Sequence, residues 1–402
     1  MSRVLILAKA YLAGEWMGER GARLPIAPVL FQAFIAAVLC GLVRGELPPL
    51  PYTIFALSIP LGLTSLSLLG ELAPLLRADP AAEWVGAQPV RPVELRAARV
   101  VVIGVLLGVL SLGSLLPAAV LAPSELGIGG KLVLVIAGLA QSLFVASLLL
   151  WLQRLFGERA EFILVLLQTV VFCMVLVGFA AGLRYLPQLA ATAHVDGTWL
   201  TYPPAWFAAL TAGVEGTAPL LGLLAAAFAA ATLILAPFPP PPRARRTSTP
   251  MSVLLYPLRV LARRLWVRPE ERASFELLYE ALPAERAFVA RTYPLFAVPL
   301  AFMLLGAEQG TAKGEGLLAL LAFMPVTYLP ILLLHVPATS TPAARWILDV
   351  APLDPEAESG GGRKAFAVRF LAPLYLALAG MIALRGTGEL ALRLVPLSLI
   401  HI

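Results

Sequence analysis

Three histidines could in principle do acid–base or metal chemistry: His194, His335 and His401. They are scattered, with no HExxH and no other pair at zinc-ligand spacing, so no metal site is expected from them. A serine nucleophile would call for a GxSxG turn, which does not occur. Ser65 and Ser67 lie in an apolar stretch with no neighbouring base. There a hydroxyl ordinarily bonds the preceding helical turn or an adjacent helix. A Walker loop needs GxxxxGK followed by Ser or Thr. The residues after the four lysines are instead Ala10, Leu132, Gly314 and Ala365. Gly360, Gly361 and Gly362, ahead of Arg363 and Lys364, read as a flexible turn. Cys40 and Cys173 fall in separate apolar stretches and are expected as small apolar fillers. The chain is therefore expected to be no enzyme by itself and to bind no cofactor.

The chemistry that remains is recognition. The segment from Arg77 to Arg99 is the most specific local feature, with Asp79, Pro80 and Glu83 at its start and Pro89, Arg91, Pro92, Glu94, Arg96 and Arg99 at its end. Asp79 is placed to cap a short helix with Pro80 in its first turn. Pro89 ends that helix, and 92–94 opens another that runs onward into apolar sequence. Two short helices then meet at a proline-fixed corner, which would pass a push along rigidly.

The elements that hold this corner are membrane helices. The 402 residues are 59% hydrophobic and 13% charged, with mean hydropathy +0.86. Roughly 20 apolar residues cross a bilayer as a helix. Stretches of that kind are read at 28–45, 52–76, 100–122, 132–152, 162–182, 219–238, 293–306, 316–336, 370–384 and 389–402. The expected fold class is all-α, a polytopic integral membrane helical bundle of about ten spans (9–11). Strands are not expected, because barrel strands alternate apolar and polar residues. With the N-terminus in the cytoplasm, 24 of the 30 basic residues fall on the cytoplasmic side, as the positive-inside rule favours. The net charge of +6 then reflects topology, and no nucleic-acid partner is implied. The 26 arginines against four lysines suggest a GC-rich bacterial genome, hence a bacterial plasma membrane.

Three regions follow from this pattern. Residues 1–238 form an N-terminal membrane domain of six spans, led by an amphipathic interfacial helix at 4–17. Residues 239–292 form a cytoplasmic linker, opened by Pro239, Pro240, Pro241 and Pro242, which cannot continue a helix. Residues 293–402 form a C-terminal membrane domain of three or four spans. Within the linker, Leu254, Leu258, Leu261 and Leu265 recur at helical spacing with Arg259, Arg263 and Arg264 between them. That is the pattern of a helix lying flat on the inner leaflet, most regular from Pro257 onward. The outer segment 184–217 carries Trp199, Tyr202, Trp206 and Phe207 and reads as an interfacial belt or a short lateral helix.

The corner resembles the cytoplasmic element of ABC-2-type permeases, the transmembrane subunits of ABC exporters. There an acidic segment leads a short helix, a phrase Leu-Pro-Val-Ser-Arg-x-Glu follows, and a basic helix enters the next span. This chain has Ala87-Gln88-Pro89-Val90-Arg91-Pro92-Val93-Glu94, then Arg96 and Arg99. Arg91 and Pro92 stand where that phrase has Ser and Arg. More loosely, 270–294 and 346–369 are similar to cytoplasmic loops of a subset with two permease-like halves. The resemblance implies a permease subunit that forms the membrane path and couples to a separate cytoplasmic ABC ATPase subunit, where ATP and Mg would bind. It implies contacts with that ATPase at Asp79, Glu83, Pro89, Arg91 and Glu94, and secondarily at Phe275, Glu285 and Arg286. Membrane lipid is the other expected partner, and the resemblance allows a second permease copy. The alternatives are a secondary transporter and a non-transporting membrane scaffold or envelope-assembly protein. Against the first, ion carriers usually keep ionised groups at mid-membrane, and here charge gathers at the expected helix ends.

Overall fold

The structure is a computed structural model. It describes residues 3–17, 26–70, 90–156, 160–192, 194, 195, 197–235, 255–284, 288, 292, 295, 297–308 and 355–384. Among these the regular elements are all helical. The chain divides into two compact units, one of residues 1–171 and 181–243, the other of 172–180 and 244–402.

The first unit contains α1 (Arg3–Met17), α2 (Ile26–Leu42), α3 (Pro49–Gly70), α4 (Pro92–Leu121), α5 (Gly127–Phe156), most of α6 (Ala160–Ala190), α7 (Pro203–Ala212) and α8 (Thr217–Leu235). Proline punctuates the starts, where its missing N–H costs nothing: Pro49 opens α3, Pro92 opens α4 and Pro203 opens α7. The helices α3, α4 and α5 alternate in direction. At one end, Leu68 and Leu69 of α3 meet Ala98, Val102 and Leu106 of α4, Leu149 and Leu150 of α5, and Leu164 of α6. At the other, Cys40 of α2, Tyr52 of α3 and Ala118 of α4 share a second cluster. Close packing needs small residues at the crossings. A Cβ on Gly138 of α5 would overlap the Leu115 side chain of α4, 2.3 Å from its Cδ2, so the glycine makes room for that leucine.

Polar side chains cross-link these apolar helices. The Tyr52 hydroxyl donates to the Ala118 carbonyl at 2.6 Å, and Gln141 Nε2 donates to the Leu57 carbonyl at 2.8 Å, in the turn just before Pro60. The Ser111 hydroxyl donates to Ser142 at 2.8 Å. Ser67 accepts a hydrogen bond from Gln32 across α2 and α3, the hydroxyl role expected of it.

The aromatic segment holds the short helix α7. It packs against α3, α5 and α8, with Phe207, Ala205, Ala208 and Ala209 fully enclosed. Trp199, Tyr202 and Trp206 are half-buried against the same cluster, so the aromatic residues belong to a core of the unit. The Tyr202 hydroxyl donates to Ser58 Oγ at 2.8 Å, and the Trp206 indole donates to the Leu200 carbonyl at 2.8 Å. The polar ends of these rings are thus used inside the protein.

The second unit contains α9 (Tyr256–Leu265), α10 (Arg272–Ala284), α11 (Ala297–Glu308), α12 (Pro355–Phe366), a π-helical turn (Ala367–Leu371) and α13 (Ala372–Leu384). The three glycines expected as a flexible turn are helical and lie at the contact of α12 with α10. A Cβ on Gly361 would overlap Ser274 Oγ and stand 2.5 Å from the Glu271 carbonyl oxygen. Glycine is present here for the close approach of two backbones. The two thiols, Cys40 and Cys173, are buried and unbridged.

The expectation of about ten spans is corrected. Among the described residues four helices are long and apolar enough to cross a membrane: Pro49–Leu69, Val93–Leu121, Ser124–Phe156 and Thr217–Leu235. Within the stretches read at 28–45 and 162–182 the shorter apolar segments Pro28–Leu42 and Ile163–Gly178 are found, the second inside the longer helix α6. Those at 293–306 and 370–384 overlap α11 and α13, which run to the edge of the described residues at Glu308 and Leu384 and are not among the four. The stretches at 316–336 and 389–402 lie outside the described residues. Apolar composition also does not distinguish a helix from the turn that ends it: α2 stops at Leu42 and the chain turns through Gly45, whose φ is +85°. The protein is a polytopic, all-helical membrane protein.

Candidate coupling site

Of the residues singled out in sequence, Arg91 and Glu94 fall at the described base of α4, while Asp79, Glu83, Pro89, Glu285 and Arg286 lie outside the described residues. The expected helix start at 92–94 is where α4 begins. Arg91 has extended backbone, with φ −73° and ψ 140°, and occupies the position before the first turn. Pro92 follows with φ pre-set for the helix. Glu94 reaches back so that its Oε2 accepts the Arg91 N–H at 3.1 Å. That bond satisfies one of the donors a helix start leaves open, and it places a negative charge at the positive end of the helix dipole. Arg91 and Val93 are exposed.

One turn further, Arg96 makes a contact that sequence reading missed. Its Nη1 donates to the carbonyl oxygens of Ile234 and Leu235, each at 3.3 Å. These are the last two described residues of α8, and Pro237 and Pro239, which follow in the sequence, carry no N–H to bond them. A guanidinium is well suited to that end, because it supplies both donors and the positive charge the dipole favours there. Trp151 of α5 adds a second tie to α8, with its indole N–H donating to Thr232 Oγ1 at 3.2 Å and the Arg154 guanidinium 5.2 Å from its ring centroid. The expected N-terminal helix is present as α1, and it rests on the same base, with Ala8 buried beside Ala98 and Val102. The start of α4 is therefore pinned to α1, α5 and α8 at one end of the first unit.

The remaining site residue, Phe275 of α10, is fully buried in the second unit. It stacks on Tyr279, ring centroids 5.7 Å apart, and shares a core with Ala262, Val267, Ala365 and Val368. Its place is in packing, so it offers no surface to a partner. Around it lies a polar frame that the sequence did not announce. Glu271 sits just before α10 and accepts from Lys364 Nζ at 2.5 Å and from the Arg268 N–H at 2.9 Å. Lys364 Nζ also donates to the Trp266 carbonyl at 3.0 Å. The Lys364 ammonium, then the Arg268 amide, hold the Glu271 carboxyl below its ordinary pKa. Arg259 of α9 pairs with Glu276, and with Glu280 at 2.8 Å. Burial alone would pull the guanidinium down, but these two carboxylates hold it above its ordinary value. No sequence signal could have found the Glu271–Lys364 pair, because 93 residues separate the two.

Among the described residues no group of three or more His, Cys, Asp and Glu is placed to hold a metal ion. No protein-family model, curated protein or solved structure matches the chain.

Proposed function

We propose that this protein is the permease subunit of an ATP-driven exporter, coupled at the corner ahead of α4 to a separate cytoplasmic ABC ATPase. In this reading the chain makes and breaks no bonds. The ATPase binds ATP and Mg, dimerises, and presses on the segment ending at Arg91 and Glu94. The N-terminus and that corner are cytoplasmic, in a bacterial plasma membrane.

The observation that carries the reading is the continuity of α4. It runs 30 residues from its exposed, proline-set start to Leu121, about 45 Å at the rise of an α-helix. A displacement at Arg91 has no loop in which to dissipate. Through Arg96 it also reaches the end of α8. The neutral character of the spans supports this over an ion-coupled carrier. In the four long apolar helices, the only acidic residues are Glu94 and Glu125, each in a first turn, whereas ion carriers usually keep ionised groups at mid-membrane.

The test is functional coupling. The full-length chain, purified with its ATPase, should stimulate nucleotide hydrolysis. Glu94→Arg together with Pro89→Gly should cut that stimulation while leaving membrane insertion and abundance nearly unchanged. Unchanged stimulation in the double variant, or purification without any nucleotide-hydrolysing partner, would overturn the proposal. External labelling of single cysteines tests the orientation, because modification at 90–91 in intact cells would place the corner on the wrong side.

A further inference from the structure

Sequence spacing puts four leucines of the 251–266 segment on one face and the arginines on another. The structure sorts them differently. Leu258 and Ala262 turn inward, against the core that includes Phe275, Tyr279 and Val368. Arg259 turns toward Glu276 and Glu280, and Arg263 stands 3.4 Å from Glu276. Two arginines are thereby occupied by α10. What remains outside is an apolar face. Leu261 is 56% exposed, Leu265 79% and Tyr256 62%. The exposed Arg264 lies on the same side, between Tyr256 and Leu261 on a 3.6-residue helical projection.

We infer that this outer face of α9 docks on an anionic lipid leaflet, with Leu261 and Leu265 among the acyl chains and Arg264 at the phosphates. Three observations select lipid as the occupant. Tyr256, a residue suited to the headgroup level, stands at the start of the face. The helix holds three arginines and no acid. The carboxylates near it, Glu276 and Glu280, engage Arg259 on the opposite side, so the outward charge is positive and complementary to anionic headgroups. Finally, α9 stands beside the start of an apolar segment. Its Ala262 shares a core with Val368 of the π-helical turn, and that turn passes directly into α13, which has no charged residue. The Lys364 bond to the Trp266 carbonyl fixes the far end of the helix at this level. The inference does not depend on the exporter reading.

The experiment uses the full-length chain in nanodiscs of phosphatidylcholine with phosphatidylglycerol. Cys40 and Cys173 are replaced by Ala, and a bimane is attached through Leu265→Cys or, as the water-facing control, Arg272→Cys. Spin-labelled lipid should quench the Leu265 probe several-fold more than the control, and aqueous iodide should do the reverse. Arg264→Glu should reduce the lipid quenching at Leu265 in discs with phosphatidylglycerol and leave it unchanged in phosphatidylcholine alone. Strong iodide quenching at Leu265 would overturn the inference in favour of water. Shielding from both quenchers would overturn it in favour of a protein partner or a second copy. An Arg264→Glu variant without effect would remove the anionic preference. Should the cysteine-free chain fail to fold, Leu265→Trp in the native chain reads the same depth: added tryptophan fluorescence quenched by brominated lipid supports lipid contact, and added fluorescence that brominated lipid leaves unquenched overturns it.

Discussion

Arg96 and Leu235 lie 139 residues apart, yet the guanidinium of one caps the helix that the other ends, at 3.3 Å. The bond ties the base of α4 to the last described turn of α8, just before the sequence run of Pro239 to Pro242. Arg96→Ala should uncap α8 at a cost of about 0.3–1 kcal/mol. Hydrogen exchange in 232–235 should quicken while exchange in the middle of α8 stays unchanged. Arg96→Lys should restore part of the protection, because it keeps the charge and loses the forked geometry. Unchanged exchange in Arg96→Ala would show that the end of α8 does not rely on this contact.

The α10–α12 contact makes a sharper test of packing. Gly361→Ala introduces a Cβ into space that Ser274 Oγ already fills, so the helices must separate, at about 1–3 kcal/mol for overpacking. Gly380→Ala, in a helix with nothing within 4 Å of the new methyl, should instead be neutral or stabilising by up to about 1 kcal/mol. Thermal unfolding of the two variants in the same detergent should move in opposite directions or differ clearly in size.

The Glu271–Lys364 pair predicts a dependence on acid. Its carboxyl titrates lower in the folded protein than in the unfolded chain. The stability it contributes is therefore full above the unfolded carboxyl pKa, about 4.3, and is lost as pH falls through the lower folded value. Melting temperature should drop below about pH 4.3 in the native protein. In Glu271→Gln the curve should start lower at neutral pH and fall less on acidification. Parallel curves would mean that other carboxylates govern the acid limb.

Tyr52 tests the polar ties inside the first unit. Its hydroxyl donates to the Ala118 carbonyl at 2.6 Å in a fully buried setting. Tyr52→Phe keeps the ring and removes the donor, and should cost about 1 kcal/mol. Tyr52→Ala should cost about 3–5 kcal/mol, because it also leaves a cavity among Cys40, Ala56 and Ala118. A denaturation series in mixed micelles would separate the two.

Helical class, membrane residence, the start of α4 at Pro92 and the helices within 4–17 and 251–266 follow from composition, proline position and periodicity alone. These properties are local, set by each residue and its near neighbours, and so the amino-acid sequence determines them by itself. Tertiary structure decided what depends on distance in space. It showed where α2 ends, because a helix stops where its backbone turns, whatever the hydropathy of the next residues. It took Phe275 from a partner surface into a core, because Ala365 and Val368 arrive from about 90 residues downstream to cover it. It gave Gly361 a reason, the approach of α10, that no turn statistics contain. And it divided the leucines and arginines of α9 between protein and surroundings, since Glu276 and Glu280 decide which arginines are left facing outward.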